Sequence, residues 1–178
     1  MVESTVALRP IVSADWRVLH EWGSDPRVCR YQAWGPNTWD DSREFTARAA
    51  AAWDADPLAR RVYIAESGGD VVGSGELRVH SRRHGQGEIQ YLVHPRHWRR
   101  GLGTAIGRLL LRVGFEDLGL HRIYGTCDPR NAGSVKILRA LGMTYEGRLR
   151  HTLRLRDGWR DSDVFGILDN EWAGENAA

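Results

Sequence analysis

The sequence predicts an α+β fold with a mixed central β-sheet flanked by helices. Three observations carry that reading. Strand-like runs recur in pairs joined by turn residues, as in 61–66 and 71–79 around Ser67-Gly-Gly-Asp70. Two stretches, 101–118 and 131–141, read as helices, the first with its apolar residues at helical spacing. Strand 88–94, helix 101–118 and strand 121–127 together form a unit long enough for a parallel crossover.

The elements follow in order. Residues 6–11 read as a first strand. Ser13 caps a helix to about Trp22, with Trp16, Leu19 and His20 on one side, and Asp25-Pro26 ends it. Tyr31 to Thr38 is turn-rich and aromatic. Thr38 with Asp41 resembles a capping box and opens an Ala-rich helix to about Trp53. The hairpin 61–79 and the strand 88–94 come next. In 101–118, Leu102, Ala105, Ile106, Leu109, Leu110 and Val113 share a face. Asn131 caps the helix to Leu141, and Gly142 stands where a C-cap glycine belongs. Residues 143–155 and 159–168 close as a hairpin around Asp157-Gly158. One domain spanning 1–178 is expected, with its core at about 6–172.

Composition narrows the function. The chain has 178 residues and a formal net charge of +2, too small for bulk nucleic-acid binding. Lys136 is the single lysine among 25 basic residues. Arginine suits bidentate recognition of phosphate and carboxylate. No apolar run is long enough to span a membrane. Met1 to Pro10 holds no apolar signal-peptide core, so a cytoplasmic protein is expected. Cys29 and Cys127 stand alone, which fits a reducing compartment. No metal site is expected: His94 and His97 have HxxH spacing, but Pro95 breaks the helix that would align them.

The chemistry concentrates between strand 88–94 and the helix after it. There His94-Pro-Arg-His-Trp-Arg-Arg-Gly-Leu-Gly-Thr104 places two glycines and their free amides at a helix N-terminus. Such a terminus cradles anions. Arg96, Arg99, Arg100, Arg108 and Arg112 bring positive charge with no acid between them. A pyrophosphate fits this site, while a tight turn alone also accounts for the glycines. A dinucleotide reading has Gly101-x-Gly103-x-x-x-Gly107 after a strand and Asp128 further on. Seven residues separate that strand from Gly101, where the dinucleotide fingerprint needs a tight turn.

Two runs carry a resemblance. Tyr91-Leu-Val-His-Pro-Arg-His-Trp-Arg-Arg-Gly-Leu-Gly-Thr-Ala105 resembles motif A of the GNAT acetyltransferases. Asn131-Ala-Gly-Ser134, followed by Leu141-Gly-Met143, is similar to the second hallmark of the RimJ/RimL-type branch. Trp98 stands where most of the family has glutamine or arginine, and tryptophan is common in this branch.

The resemblance implies a GNAT fold, with two central parallel strands splayed apart, and acetyl-CoA as co-substrate. It implies that the backbone of Leu92, Val93 and His94 holds the pantetheine arm and polarises the thioester carbonyl, as an oxyanion-stabilising donor does. It implies a pyrophosphate cradle at Arg99, Arg100, Gly101, Leu102, Gly103 and Thr104. Asn131 would bond the pantetheine side, and Lys136 or Arg139 the 3′-phosphate. Ser134 matches the family's donor to the leaving sulfur, although a serine in a first helical turn is also ordinary. For the general base, Glu88 ranks first, His94 second and Glu146 third. Some members of the branch carry an acid near the position of Leu153, and none stands here.

For the acceptor, Tyr31, Trp34 and Trp39 stand in the region that lines the family's cleft. Alternation puts Arg148, Arg150, Arg154 and Arg156 on one strand face, which would attract an acidic surface or simply be solvated. The implied activity is N-acetyl transfer to a primary amine, a protein N-terminus or a small molecule, in a ternary complex. A non-catalytic acyl-CoA-binding protein and, more remotely, an NAD(P)-dependent oxidoreductase are the rival readings. No nucleic-acid or membrane partner is expected; the resemblance fixes no oligomeric state, a homodimer being frequent in the family.

Overall fold

A computed structural model describes residues 6–54 and 59–174. The elements are β1 (Val6–Pro10), α1 (Trp16–Gly23), α2 (Pro26–Cys29), α3 (Trp39–Ala51), β2 (Arg60–Ser67), β3 (Asp70–Ser81) and β4 (Gln86–Val93). They continue as α4 (Leu102–Arg112), β5 (Arg122–Cys127), α5 (Ala132–Ala140), β6 (Thr144–Leu155) and β7 (Gly158–Leu168). One seven-stranded sheet runs in the order β1-β2-β3-β4-β5-β7-β6. All neighbours are antiparallel except β4 and β5, the single parallel pair.

Local chemistry sets most boundaries. Thr38 and Asp41 form the expected reciprocal cap: Asp41 N–H donates to Thr38 Oγ1 at 3.2 Å and Thr38 N–H to Asp41 Oδ2 at 2.8 Å. Asn131 caps α5 by accepting from Ser134 N–H at 3.1 Å, and Gly142 beyond its end sits at φ +79°. Two local expectations change. Ser13 lies in a 3₁₀ turn, and Asp15 holds that end of the chain instead, accepting from Val12 N–H at 2.8 Å and from Arg9. Asp25-Pro26 starts a helix as well as ending one. Asp25 accepts from Arg27 N–H, and Pro26 fills the first turn, where a missing N–H costs nothing.

The two sheet faces bury different partners. Toward α4 and α5 the strands present Leu77, Ile89, Ile123 and Phe165, packed with Ile106, Leu110 and Leu138. Toward α1 and α3, Val62 and Ile64 pack with Leu19, Trp22 and Ala49. Only the β1–β3 part of that second face is roofed in this way. Over β4, β5 and β7 the same face opens into a cleft.

The last hairpin departs from simple alternation. β6 is the sheet edge and is exposed along almost its whole length. Its register with β7 shifts between Tyr145 and Gly147 and again between Leu149 and Leu153. The arginines there are therefore not one solvated face. Arg148 pairs with Asp163 at 2.7 Å. Arg156 donates to the carbonyls of Cys29 and Trp34 and ties the hairpin to the loop after α2.

Candidate active site

The site begins where the two parallel strands part. β4 and β5 pair only at Gln86, Gly87 and Glu88 against Arg122, Ile123 and Tyr124, and beyond Glu88 they diverge. On its other side β4 stays paired with β3 through Val93, opposite Gly73. In an antiparallel pair, successive residues turn their backbone groups to opposite sides. His94 N–H donates to Val72 O at 2.9 Å, so His94, and with it Leu92, turns toward β3. Tyr91 and Val93 turn toward the opening. This corrects the expected set: of Leu92, Val93 and His94, only the Val93 amide faces the gap, and Tyr91 joins it.

The loop after β4 is shaped for an anion. Trp98 Nε1 donates to Val93 O at 2.8 Å and anchors the loop to the strand end. Arg99 sits at φ +64° and Gly101 at φ +76°. A side chain resists that conformation and glycine accepts it, so Gly101 is the natural residue there and Arg99 is held by its surroundings. Gly101 caps α4 with no side chain, and the first amides of the helix, at Leu102 and Gly103, have no partner within it. Arg99 and Arg100 are exposed and form no ion pair among the described residues. Gly103 has a second role. A Cβ there would lie 2.6 Å from Ile137 Cδ1, so the glycine lets α4 and α5 pack closely.

A cleft of about 350 Å³ runs through the fork. Ile89, Tyr91, Cys127, Asn131 and Ser134 line it on the α4–α5 side. Ser74, Glu76, Gln90, Tyr31, Trp34 and Arg160 line it on the other. Tyr91 Oη donates to Ser134 O at 3.3 Å. Burial holds the Tyr91 hydroxyl well above the ordinary tyrosine range, so it stays a neutral donor. Burial also pushes the Cys127 thiol up to about 11, which makes it an inert wall. The Ser134 hydroxyl makes no hydrogen bond among the described residues.

The acidic candidates separate. Glu88 is half-buried at the fork but does not line the cleft. His80 Nε2 lies 3.2 Å from its carboxylate, and Thr126 Oγ1, which does line the cleft, donates to it at 3.4 Å. His94 lies elsewhere. Its Nδ1 accepts from Arg96 N–H at 3.1 Å, its Nε2 is 3.5 Å from Glu21, and Trp22 packs edge-on against the ring. Both nitrogens are engaged in a different pocket, and His94 does not line the cleft. Glu146 pairs with Arg122, away from the cleft. Lys136 is exposed on α5 and outside the cleft, and Trp39 stacks on His20.

Sequence reading gave no role to Tyr91 or Glu76, and placed Arg160 only among the arginines of the last hairpin. Glu76 is buried in the cleft wall and paired with both Arg60 and Arg78. Its desolvation is outweighed by those two guanidiniums, so its carboxyl lies below the ordinary range. Asp128 is buried as well. Its desolvation too is outweighed, by the side chain and amide of Arg130. Nothing local marks these residues, because their partners come from other strands and loops. Among the described residues no group of three or more His, Cys, Asp or Glu is placed to hold a metal, and no helix is long and apolar enough to cross a membrane.

Known proteins share this architecture. The family model described as an acetyltransferase (GNAT) domain matches residues 5–144. An uncharacterized N-acetyltransferase of Bacillus subtilis (strain 168), YnaD, is 26% identical over 165 residues, covering 93% of this chain and 94% of its own. Spermidine N(1)-acetyltransferase of Escherichia coli (strain K12) is 27% identical over 175 residues, covering 97% of this chain and 90% of its own. The crystal structure of a Vibrio cholerae spermidine N-acetyltransferase in complex with CoA and spermine superposes with a TM-score of 0.82 at 22% identity, over 94% of this chain and 97% of that one. A sheet forked between β4 and β5, an anion-ready start to α4 and a family match over most of the chain agree: the protein belongs to the GNAT family of N-acetyltransferases, enzymes whose acyl donor is acetyl-CoA.

Proposed function

We propose that the chain moves the acetyl group of acetyl-CoA directly to a primary amine, with both substrates bound at once. One observation carries this reading: the cleft passes through the fork, so two molecules can meet there from opposite faces of the sheet. The amines of protein N-termini and of small molecules are the two acceptor classes, and the motif at Asn131 and Ser134 supports a RimJ/RimL-type enzyme. A homodimer and a cytoplasmic setting belong to the same reading.

Acetyl-CoA supplies an acyl group activated as a thioester. The Val93 N–H donates to the thioester carbonyl oxygen, where negative charge grows during attack. Arg99, Arg100 and the amides of Gly101, Leu102 and Gly103 hold the pyrophosphate, with Thr104 offering its hydroxyl because its amide donates to Gly101 O at 3.0 Å. Asn131 spends its oxygen on capping α5 and keeps its NH₂ for the pantetheine arm. Lys136, exposed on α5, meets the 3′-phosphate. Tyr31 and Trp34 hold the acceptor.

A carbon–nitrogen bond forms and the carbon–sulfur bond breaks. The amine gives up one proton, and the sulfur leaves as a thiolate that the Ser134 hydroxyl steadies by donating a hydrogen bond. The amine must be neutral to attack, which an N-terminal amine with a pKa of about 8 achieves more easily than a lysine-like one at about 10.4. Glu88 accepts the proton through Thr126. It is the carboxylate at the fork that no arginine neutralises, whereas Glu76 and Asp128 are both paired. Thiol release from acetyl-CoA, measured against a panel of primary amines, tests the reading. Amine-dependent release is expected; acetyl-CoA that binds but is never discharged by any amine would overturn it.

A further inference from the structure

Arg160 on β7 is an unusual residue for a cleft wall. It is 7% exposed, yet it forms no ion pair among the described residues. Its Nη1 donates to Tyr31 O at 2.9 Å and its Nη2 to Ser162 Oγ at 2.7 Å. Its Nε has no hydrogen-bond partner. A buried guanidinium held by neutral groups alone is costly, and a buried donor without an acceptor adds to that cost.

The surrounding charge does not settle it. Arg60, Arg78 and Arg160 line the cleft against Glu76 and Asp128. Glu76 is already shared by Arg60 and Arg78, and Asp128 belongs to Arg130. Asp128 attracts Arg160 through space, but its carboxylate is bonded to Arg130, so Arg160 has no carboxylate in hydrogen-bond contact. It also lies on the face away from α4, in register with Leu153 and bonded to the loop that carries Tyr31 and Trp34. That is the acceptor side of the fork, opposite the pyrophosphate cradle.

We propose that the acceptor is an amine that also carries a carboxylate, and that Arg160 binds this carboxylate. The inference rests on the acetyltransferase reading and names its substrate class. A polyamine, the substrate named for two of the similar proteins, brings several positive charges and no anion. This cleft offers it no unpaired acid and one unpaired arginine. A carboxylate on the acceptor gives Arg160 a charged partner, through the second N–H of Nη1 or Nη2, each of which makes one bond within the protein.

The test uses the wild-type chain with acetyl-CoA and matched pairs of probes: free amino acids and dipeptides, each beside its own C-terminal amide. Spermidine and spermine form the polycation arm, and aminoethyl phosphate the phosphate arm. The acid of each pair is expected to exceed its amide in kcat/KM by about tenfold or more, the scale of one charge-assisted hydrogen bond. Equal rates for acid and amide, or polyamines or aminoethyl phosphate as the best acceptors, overturn the proposal. Calorimetric titration of the same pairs into the CoA-loaded protein reads Arg160 without turnover. If no amine is acetylated but the acids still bind more tightly than their amides, the transfer reading fails and the carboxylate site stands. If neither preference appears, the site itself is refuted. Arg160→Gln is expected to bring the acid-to-amide ratio to near one, and Arg160→Lys to restore part of it. The wild-type pairs decide the matter even if Arg160→Gln does not fold.

Discussion

Ser134 is the residue closest to the proposed bond-breaking step, and its hydroxyl is uncommitted. Its amide is spent on Asn131 and its carbonyl on Tyr91, so removing the hydroxyl leaves the fold of α5 in place. Ser134→Ala is expected to lower kcat by about a hundredfold, the low end for losing one hydrogen-bond donor to developing negative charge. The Kd for acetyl-CoA, measured by calorimetry, should hold. An unchanged kcat would remove Ser134 from the chemistry. Ser134 and Asn131 were legible because a helix cap is a pattern of neighbours. Arg160 and Glu76 were not, because what defines them is burial and pairing across strands. His94 shows the converse. Its place beside the predicted loop suggested a base, but a local cap with Arg96 N–H had already taken its Nδ1.

Among the elements, the junction of β3 and β4 bears most on the site. Gly73 lies opposite Val93, and a Cβ there would sit 2.2 Å from Leu92 O. That atom is backbone and cannot swing aside. Gly73→Ala is therefore expected to destabilise the chain by about 1–3 kcal/mol or more through overpacking. Because the strain falls on the strand that aims the Val93 amide, acetyl-CoA affinity should fall with it. Chemical denaturation and a binding titration together check this. A variant with wild-type midpoint and affinity would show that the two strands are not in such close contact. The helices and most strands were readable from spacing and caps. The two register shifts in β6 were not, since inserted residues leave no mark in composition: the first shift adds one residue and reverses which side chains share a face, and the second adds two.

The molecule as a whole holds one sheet divided by its fork, with α4 and α5 packed across one face. A ligand that fills the fork binds the folded state alone, so it must raise its stability. At about 100 times its Kd, acetyl-CoA is expected to add about 2.7 kcal/mol, which for a chain of this size is roughly 5–11 °C in Tm. NAD(P) at the same concentration should do less; a larger shift with NAD(P) would revive the dinucleotide reading. The net charge of +2 hides how this molecule spends its arginines. Some stitch the last hairpin to the loop after α2, two wait at the start of α4, and one faces the acceptor side unpaired. The alternation along β4 carries a last consequence. Tyr91 and Val93 present their amides to the gap at a fixed interval, two residues of strand rise or about 6.6 Å. The open edge thus works as a ruler. A molecule with one polar group can settle against it at several heights, whereas one with two groups at the matching interval has a single resting place, and its reactive end is delivered to the same point every time.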